Sequence, residues 1–372
     1  MNPITLYGSP LSLYTGKARS YLIKAGLSYQ ETAPNSDHYI NTVLPLAGGR
    51  RGIPTLETAQ GAVIRDGGAI IEHYESATGH GFSPTSAKQK ILSRLFDVIG
   101  TEGLLRPAMH YRWNFLELNL AFLKFHFTSM MPFVAERELM AEEAMNAMRN
   151  AAQMFGVVPE SIELVESLYE QLVVKLNDHF VKQPYLLGGK PCLGDFGLLA
   201  PLYAHLGRDP KPLSLMQSNG VNLFRWVERM NRPELDVGEF ENQSHDYLPN
   251  DDVPDTLIAV LKHLAVDFVP ETLAAAQCIN QWLDQQDNLV ALTAAERGVG
   301  LAEFDLNGVT IKALAQPYRF YLLQFLQDDY ASLSEPERGE VDSMLAACGM
   351  TDVLTCTLDR RIGRENNLEV WL

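Results

Sequence analysis

The spacing of apolar residues at the start of the chain predicts a strand, a helix and a second strand. Residues 4–7 form a β-branched and aromatic run that ends at three turn formers, Gly8, Ser9 and Pro10. Over residues 14–25 the apolar side chains recur at helical spacing, and residues 28–32 again suit a strand. This order predicts a βαβ unit.

A hairpin and a second helix are predicted next. Residues 55–58 and 62–65 are strand-like runs separated by a short turn, which is typical of a β-hairpin. The helix that follows, over residues 66–76, has an acidic residue at its start and apolar residues on one side. The first 80 residues are therefore predicted to fold as βαβ followed by ββα.

Beyond residue 84 the pattern changes to helices. Apolar side chains recur at helical spacing over much of residues 84–240, which predicts an all-helical bundle. A polar stretch over residues 241–255 suits a second domain boundary. Residues 250–372 are then predicted to form a mostly helical extension, with one strand pair that turns at Asn307-Gly308.

Composition and charge restrict the classes of function. With 46% hydrophobic and 20% charged residues, a chain of 372 residues can form two or three globular domains. The formal net charge of -16 repels phosphate backbones and anionic lipid. We therefore expect neither nucleic acid nor a membrane as a partner.

Signals for secretion, membrane insertion and metal binding are also weak. The first residues carry neither the basic nor the apolar segment of a secretion signal, so we expect a cytoplasmic protein. The most apolar long stretch, residues 118–135, contains Lys124, His126 and Pro132 and does not suit a membrane-spanning helix. The four cysteines form no CxxC pair and no HExxH motif occurs, so we expect neither disulfides nor a metal site.

The turn after the first strand carries the first candidate for chemistry. In a βαβ unit this turn places hydroxyls and free backbone N–H groups at the positive end of the helix, which stabilises an anion. Ser12 lies in this turn, where its hydroxyl can donate a hydrogen bond to a bound thiolate. Ser12 is equally suited to cap the helix. If it is only a cap, Ser9 and Tyr7 are the next candidates.

Two further segments suit the binding of a peptide. If the Ile53-Pro54 bond is cis, the backbone of Ile53 can pair with a peptide ligand as a strand would, and an ordinary trans bond is the alternative. Asp66 can receive an ammonium group while the N–H of Gly67 receives a carboxylate, a pair that suits an amino-acid head group. The alternative is that Asp66 only caps the next helix.

These segments together resemble the glutathione transferase family. The first βαβ segment of that family is similar to LYGSPLSLYTGKARSYLIKAGLSYQE, its cis-proline loop to GIPTLE, and its segment for the γ-glutamyl end of glutathione to AVIRDGGAIIEHYE. The three segments occur in the family's order and at its separations. The resemblance covers about residues 1–240 and is most specific in the first 80.

The resemblance implies a fold, a ligand and a set of site residues. It implies an α/β thioredoxin-like domain over residues 1–80 and an all-α glutathione-transferase domain over residues 84–240, with glutathione as co-substrate in the cleft between them. It implies Ser12 as the catalytic residue and the following glutathione-binding residues: Leu13, Arg51, Ile53, Pro54, Asp66 and Gly67. Gly67 stands where the family has a serine, so the backbone N–H is kept and a hydroxyl is lost.

The resemblance extends less specifically into the helical region. The family's buried capping helix is similar to GGKPCLGDFGLLAPLYAHLG, in which Cys192 replaces the usual Ser or Thr and Asp195 is expected to be a structural cap. The first long helix of the helical domain faces the cleft in this superfamily, and substrate contacts are predicted on it from His110, Tyr111 and Trp113. The alternative is a helix end that uses its aromatics for packing and Arg112 for a surface ion pair.

The function implied by the resemblance is that of a glutathione transferase, which promotes attack of the glutathione thiolate on a small electrophile. A homodimer is also implied. The alternative is a non-catalytic binding or interaction protein that keeps the fold. Residues 250–372 match nothing in the family's two-domain plan, and we expect them to pack on the first two domains.

Overall fold

A computed structural model describes residues 3–79, 81–241 and 244–372 of the chain, apart from the side chain of Thr78. The N-terminal region has a mixed four-stranded sheet in the order β2-β1-β3-β4. Its strands are β1 (Ile4–Tyr7), β2 (Tyr29–Thr32), β3 (Thr55–Glu57) and β4 (Val63–Arg65). β1 pairs in parallel with β2 and antiparallel with β3, which pairs antiparallel with β4.

The helices of this region complete a thioredoxin-like fold, as predicted. They are α1 (Leu13–Lys24), the short α2 (Leu44–Leu46) and α3 (Gly67–Thr78). The predicted strands and the two longer helices are confirmed to within two residues at each end. The short helical segment over residues 39–46 lies between the second and third predicted strands and was not predicted.

A helical region follows. It contains α4 (Ala87–Val98), α5 (Leu105–Trp113), α6 (Leu116–Met130), α7 (Arg137–Ala151), α8 (Ile162–Phe180), α9 (Leu193–Ala204), α10 (Pro210–Asn219) and α11 (Val221–Met230). Buried α9 packs against α1 and α4. Gly100 follows α4, and a Cβ added there would lie 2.2 Å from the backbone of Gly197 in α9, so the close approach of these two segments requires glycine. Asp195 caps α9 as expected: its carboxylate accepts from the Cys192 N–H at 2.9 Å and from Trp226 Nε1 at 3.0 Å.

The extension is helical with two hairpins. It contains α12 (Asp255–Leu283), β5 (Leu301–Leu306), β6 (Val309–Leu314), α13 (Pro317–Ala331), α14 (Glu335–Cys348), β7 (Ile362–Glu365) and β8 (Leu368–Trp371). The hairpin predicted at Asn307-Gly308 is confirmed. A second hairpin turns at Asn366-Asn367, where both residues have positive φ, and it was not predicted. The boundaries between the three regions stay predictions.

The extension packs on both other regions. α12 packs against α8, and α13 and α14 pack against α4. In the helical region Arg106 pairs with Asp267 and Glu271 of α12, and Arg319 of α13 pairs with Glu271 at 2.9 Å. Asn367 covers the free edge of β4, because its Nδ2 donates to the Val63 carbonyl at 2.9 Å. In the part of the chain that the structure describes, no helix is long and apolar enough to cross a membrane.

Candidate active site

A cavity of about 500 Å³ lies where the three regions meet. The N-terminal region lines it with the turn before α1, the loop before β3 and the start of α3, and the helical region with α5 and the α6–α7 pair. The extension closes a third side with Ala295, Glu296, Arg297, Gln316, Tyr318 and Glu369. The site therefore includes a wall that the two-domain plan did not predict.

Ser12 lies on the cavity wall at the N-terminus of α1. Its Oγ accepts a hydrogen bond from the Thr15 N–H at 3.2 Å, so Ser12 is an N-cap, as one of the two interpretations predicted. This cap uses an oxygen lone pair and leaves the hydroxyl proton free to donate. Ser9 is buried with its Oγ bound to the Leu11 N–H, and Tyr7 does not line the cavity and donates to Glu57 at 3.0 Å.

A buried ion pair holds the turn that precedes Ser12. Arg112 donates to Asp209 through Nε at 2.6 Å and to the Leu11 carbonyl through Nη1 at 3.1 Å. The same Nη1 meets His205 Nε2 at 2.6 Å, and burial lowers the pKa of His205 well below its ordinary value, so this imidazole is neutral. The alternative of a surface pair for Arg112 is wrong, because both Arg112 and Asp209 are buried.

The loop before β3 presents free backbone groups. The Ile53-Pro54 bond is cis, as the peptide-binding hypothesis required. Both residues line the cavity, and the N–H and C=O of Ile53 have no hydrogen-bond partner in the described ranges 3–79, 81–241 and 244–372. A buried or half-buried backbone group without a partner is uncommon, so this edge suits a ligand with peptide groups.

Asp66 caps α3 and is held by the extension. Its φ of 89° lies in the left-handed region, and its Oδ1 accepts from the Gly68 N–H at 2.9 Å and the Ala69 N–H at 3.1 Å. The Tyr318 hydroxyl donates to the same carboxylate at 2.9 Å. Asp66 lines the cavity and Gly67 does not, and the binding of a ligand carboxylate by the Gly67 N–H stays a prediction. A Cβ at Gly67 would lie 2.8 Å from the Tyr14 carbonyl oxygen, which leaves no room for a serine.

One face of α5 forms the floor of the cavity. Leu105, Met109, Arg112 and Trp113 line it, because positions separated by three, four and seven residues share a helix face. His110 and Tyr111, on another face, do not line it. The substrate contacts of these two residues stay a prediction. His110 meets Glu166 at 2.9 Å, and the Tyr111 ring stacks on Phe115. α5 is also a short helix after α4, not the first long helix of the bundle.

Residues 6–81 match the family model for the glutathione S-transferase N-terminal domain. This stretch is therefore a glutathione S-transferase N-terminal domain. The glutathione transferase GSTFuA3 from Phanerochaete chrysosporium is similar, with 16% identity and a TM-score of 0.43 over 63% of this chain and 98% of that one. The beta-etherase LigF from Sphingobium sp. strain SYK-6 has 18% identity and a TM-score of 0.41 over 62% and 95%. No curated protein matches the chain.

Most, but not all, of the site residues that the sequence predicted in the N-terminal region line the cavity. Leu13 lines it together with Ser12, Ile53, Pro54 and Asp66. Arg51 does not: its side chain is exposed, and its carbonyl accepts from Arg297 Nη2 at 2.8 Å. The neighbouring Arg50 lines the cavity instead and donates to the Ala295 carbonyl at 3.0 Å. Arg50, and not Arg51, therefore lines the cavity, and the role of Arg51 in glutathione binding stays a prediction.

Sequence reasoning missed Tyr14 and Glu102, which line the polar part of the cavity. The Tyr14 hydroxyl donates to Glu102 Oε1 at 3.2 Å. Burial, together with the nearby charges of Asp66 and Glu271, raises the pKa of Glu102 to about 7, although the Arg319 charge and the Tyr14 hydrogen bond act in the opposite direction. One sequence feature could have indicated this site: Glu102 is the only acid in the apolar run IGTEGLL, where an unpaired charge would be costly.

The opposite part of the cavity is apolar. Its wall consists of Leu11, Leu105, Met109, Trp113, Phe127, Met130, Met148, Ala151 and Phe155. Thioether side chains adapt their shape to irregular apolar groups and make favourable contacts with aromatic rings. This half therefore suits an apolar or aromatic group. Within the described residues, no cluster of His, Cys, Asp or Glu could hold a metal ion.

Proposed function

We propose that this protein binds glutathione in the cavity between its three regions and promotes attack of the glutathione thiolate on an apolar electrophile. One observation carries the proposal. The free hydroxyl proton of Ser12, the N-terminus of α1 and the unpaired backbone of Ile53 all face the same cavity. A thiol needs the first two groups for ionisation, and a peptide needs the third for binding.

The polar and apolar halves of the cavity match the two reactants. A peptide thiol paired with Ile53 extends toward Asp66 and Tyr14 on the polar side, and its sulfur lies near Ser12. The apolar wall, with Met109, Trp113 and Phe127, then receives the electrophile. The reacting atoms meet at the boundary between the halves, where Ser12 and Leu11 are neighbours.

The chemistry needs only a lowered thiol pKa. The bound thiol gives its proton to water, and its electron pair forms the carbon–sulfur bond while the leaving group departs with the pair of the bond that breaks. A Cys thiol has a pKa of about 8.5, and a shift of two units corresponds to roughly 2.7 kcal/mol. A charge-assisted hydrogen bond of about 1.5–3 kcal/mol from Ser12, together with the helix N-terminus, can supply that difference.

Two measurements on the full chain test this proposal. Calorimetric titration with glutathione measures binding, and the ultraviolet absorbance of the thiolate across pH measures the pKa of the bound thiol. We expect saturable binding, a thiol pKa below that of free glutathione, and turnover of at least one member of a panel of aromatic electrophiles. Absence of binding would contradict the proposal. Binding with an unshifted thiol pKa and no turnover would instead favour the non-catalytic alternative.

A further inference from the structure

Glu102 is a carboxylate in the cavity wall that lacks a full set of partners. Only 2% of its surface is exposed, and its Oε1 accepts from the Tyr14 hydroxyl. Its Oε2 is buried and accepts no hydrogen bond from the residues that the structure describes. A buried carboxylate oxygen without a donor is costly, so a donor that enters the cavity beside Glu102 gains the interaction that the protein lacks.

Asp66 lies close to Glu102 and also has acceptor capacity left. Its Oδ1 accepts from two backbone N–H groups and shares the Tyr318 hydroxyl with Oδ2, and among the described residues Oδ2 has no other donor. A carboxylate has about four acceptor positions, so Oδ2 can take a further donor. Two adjacent carboxylates with free acceptor positions suit a group with several N–H donors and a positive charge, which is a primary ammonium.

Arg297 is a cation at the mouth of the same polar region. This exposed side chain makes a hydrogen bond to the Arg51 carbonyl, and it forms no ion pair among the described residues. Its charge acts on Tyr14, the residue whose hydroxyl binds Glu102. A guanidinium with free donors is suited to a carboxylate. Gly67, for which the sequence predicted this role, does not line the cavity, whereas Arg297 does.

We propose that Glu102 and Asp66 bind the ammonium group, and Arg297 the carboxylate, of an α-amino-acid end on the ligand. This inference rests on the function proposed above, in which that end is the γ-glutamyl group of glutathione. The three groups come from the helical region, the N-terminal region and the extension. Tyr318 of the extension positions Asp66. The extension is thus a part of the ligand site, not only a packing element.

Ligand analogues separate the two charges. The probes are S-methylglutathione, the same compound with a glutaryl group in place of γ-glutamyl, which lacks the ammonium, and the same compound with a 4-aminobutyryl group, which lacks the α-carboxylate. We expect each analogue to bind about 10- to 100-fold more weakly than S-methylglutathione, because each loses a charge-assisted interaction. The S-methyl group removes thiol ionisation from the measurement.

The variants Glu102→Gln and Arg297→Gln assign each charge to its residue. Glu102→Gln should weaken S-methylglutathione binding and leave the affinity for the ammonium-free analogue nearly unchanged. Arg297→Gln should also weaken S-methylglutathione binding, and it should leave the affinity for the carboxylate-free analogue nearly unchanged. Two exposed residues outside the cavity provide matched controls, Glu303→Gln and Arg232→Gln, which should change none of the affinities.

A wild-type measurement covers the case in which Glu102→Gln does not fold. An ammonium beside Glu102 favours its ionised form, so S-methylglutathione should release protons near pH 7, whereas the ammonium-free analogue should not. Calorimetry in two buffers of different ionisation enthalpy measures this release. The other charged or titratable groups that act on Glu102 are Tyr14, Asp66, Arg319 and Glu271, and both ligands meet the same ones.

The outcomes separate this inference from the function on which it rests. If the wild-type protein binds S-methylglutathione and both analogues equally, the inference is overturned and the proposed function stands. The inference is also overturned if Glu102→Gln prefers S-methylglutathione over the ammonium-free analogue as strongly as the wild-type protein does. The same holds if Arg297→Gln keeps the wild-type preference over the carboxylate-free analogue. If the wild-type protein binds neither glutathione nor S-methylglutathione, the proposed function fails first.

Discussion

The Ser12 side chain combines two roles in one hydroxyl, since its oxygen caps α1 and its proton remains free. Ser12→Ala should keep most glutathione affinity, which comes from Ile53, Asp66 and backbone groups. It should raise the pKa of the bound thiol by about one to two units and slow conjugation about 10- to 150-fold at neutral pH. Thiolate absorbance and turnover across pH measure both effects.

Two further variants test the Ser12 prediction. Ser9→Ala should do much less, because the Ser9 oxygen serves the turn itself. Ser12→Cys should place a thiol of low pKa at a helix N-terminus and shift the chemistry toward mixed-disulfide exchange with glutathione. If Ser12→Ala changes neither the thiol pKa nor turnover, then Ser12 is only a cap.

Glu102 should make stability depend on pH. Its pKa is about 7 in the folded protein and about 4.3 in an unfolded chain, so between these values the folded state binds the additional proton. This contribution to stability is fully present below about pH 4.3 and is lost as the pH rises through 7. Relative to Glu102→Gln, the wild-type protein should lose about 3 kcal/mol of unfolding free energy between pH 4 and pH 8. Urea unfolding at several pH values measures the difference, and parallel curves would contradict it.

At the scale of the element, α5 presents one face to the cavity and another to the core. Trp113→Leu should raise the KM for an aromatic electrophile several-fold with little change in glutathione affinity, because Trp113 lines the apolar half. His110→Gln should leave that KM unchanged, since His110 binds Glu166 away from the cavity. Steady-state kinetics with both substrates varied makes the comparison. Equal effects of the two variants would contradict this assignment of faces.

α5 also carries the ion pair that supports the Ser12 turn. Arg112→Met should lower the unfolding free energy by about 3–5 kcal/mol, because Asp209 would keep a buried charge without its partner. Arg232→Met, at an exposed position, should change stability by less than about 0.5 kcal/mol. Chemical denaturation measures both. An Arg112→Met protein as stable as the Arg232→Met control would show that the pair does not hold this turn.

At the scale of the whole molecule, the extension shares one core with the other two regions. Truncation at about Asn250 should expose the apolar surfaces of α4 and α8 and leave Arg106 without Asp267 and Glu271. We therefore expect a lower melting temperature or lower solubility. Thermal melting and size-exclusion chromatography measure the result. A truncated protein with unchanged melting and oligomeric state would contradict the prediction. The homodimer and the cytoplasmic location both stay predictions.

Local sequence patterns were sufficient for the four strands and the two longer helices of the first 80 residues and for the caps of those helices. The helix starts at Ser12 and Asp66, the strand opening at Pro54 and the turn at Asn307-Gly308 each depend on backbone preferences within a few residues. Such preferences can be read from a single sequence because all the interacting groups are neighbours in the chain.

Tertiary structure alone decided which of these residues meet. The contact of Tyr318 with Asp66 joins residues 252 positions apart, and no local periodicity encodes it. The choice of Arg50 over Arg51, and of Trp113 over His110, depends on how a loop or a helix is rotated against its neighbours. That rotation follows from packing across the whole core, to which the extension contributes a large part.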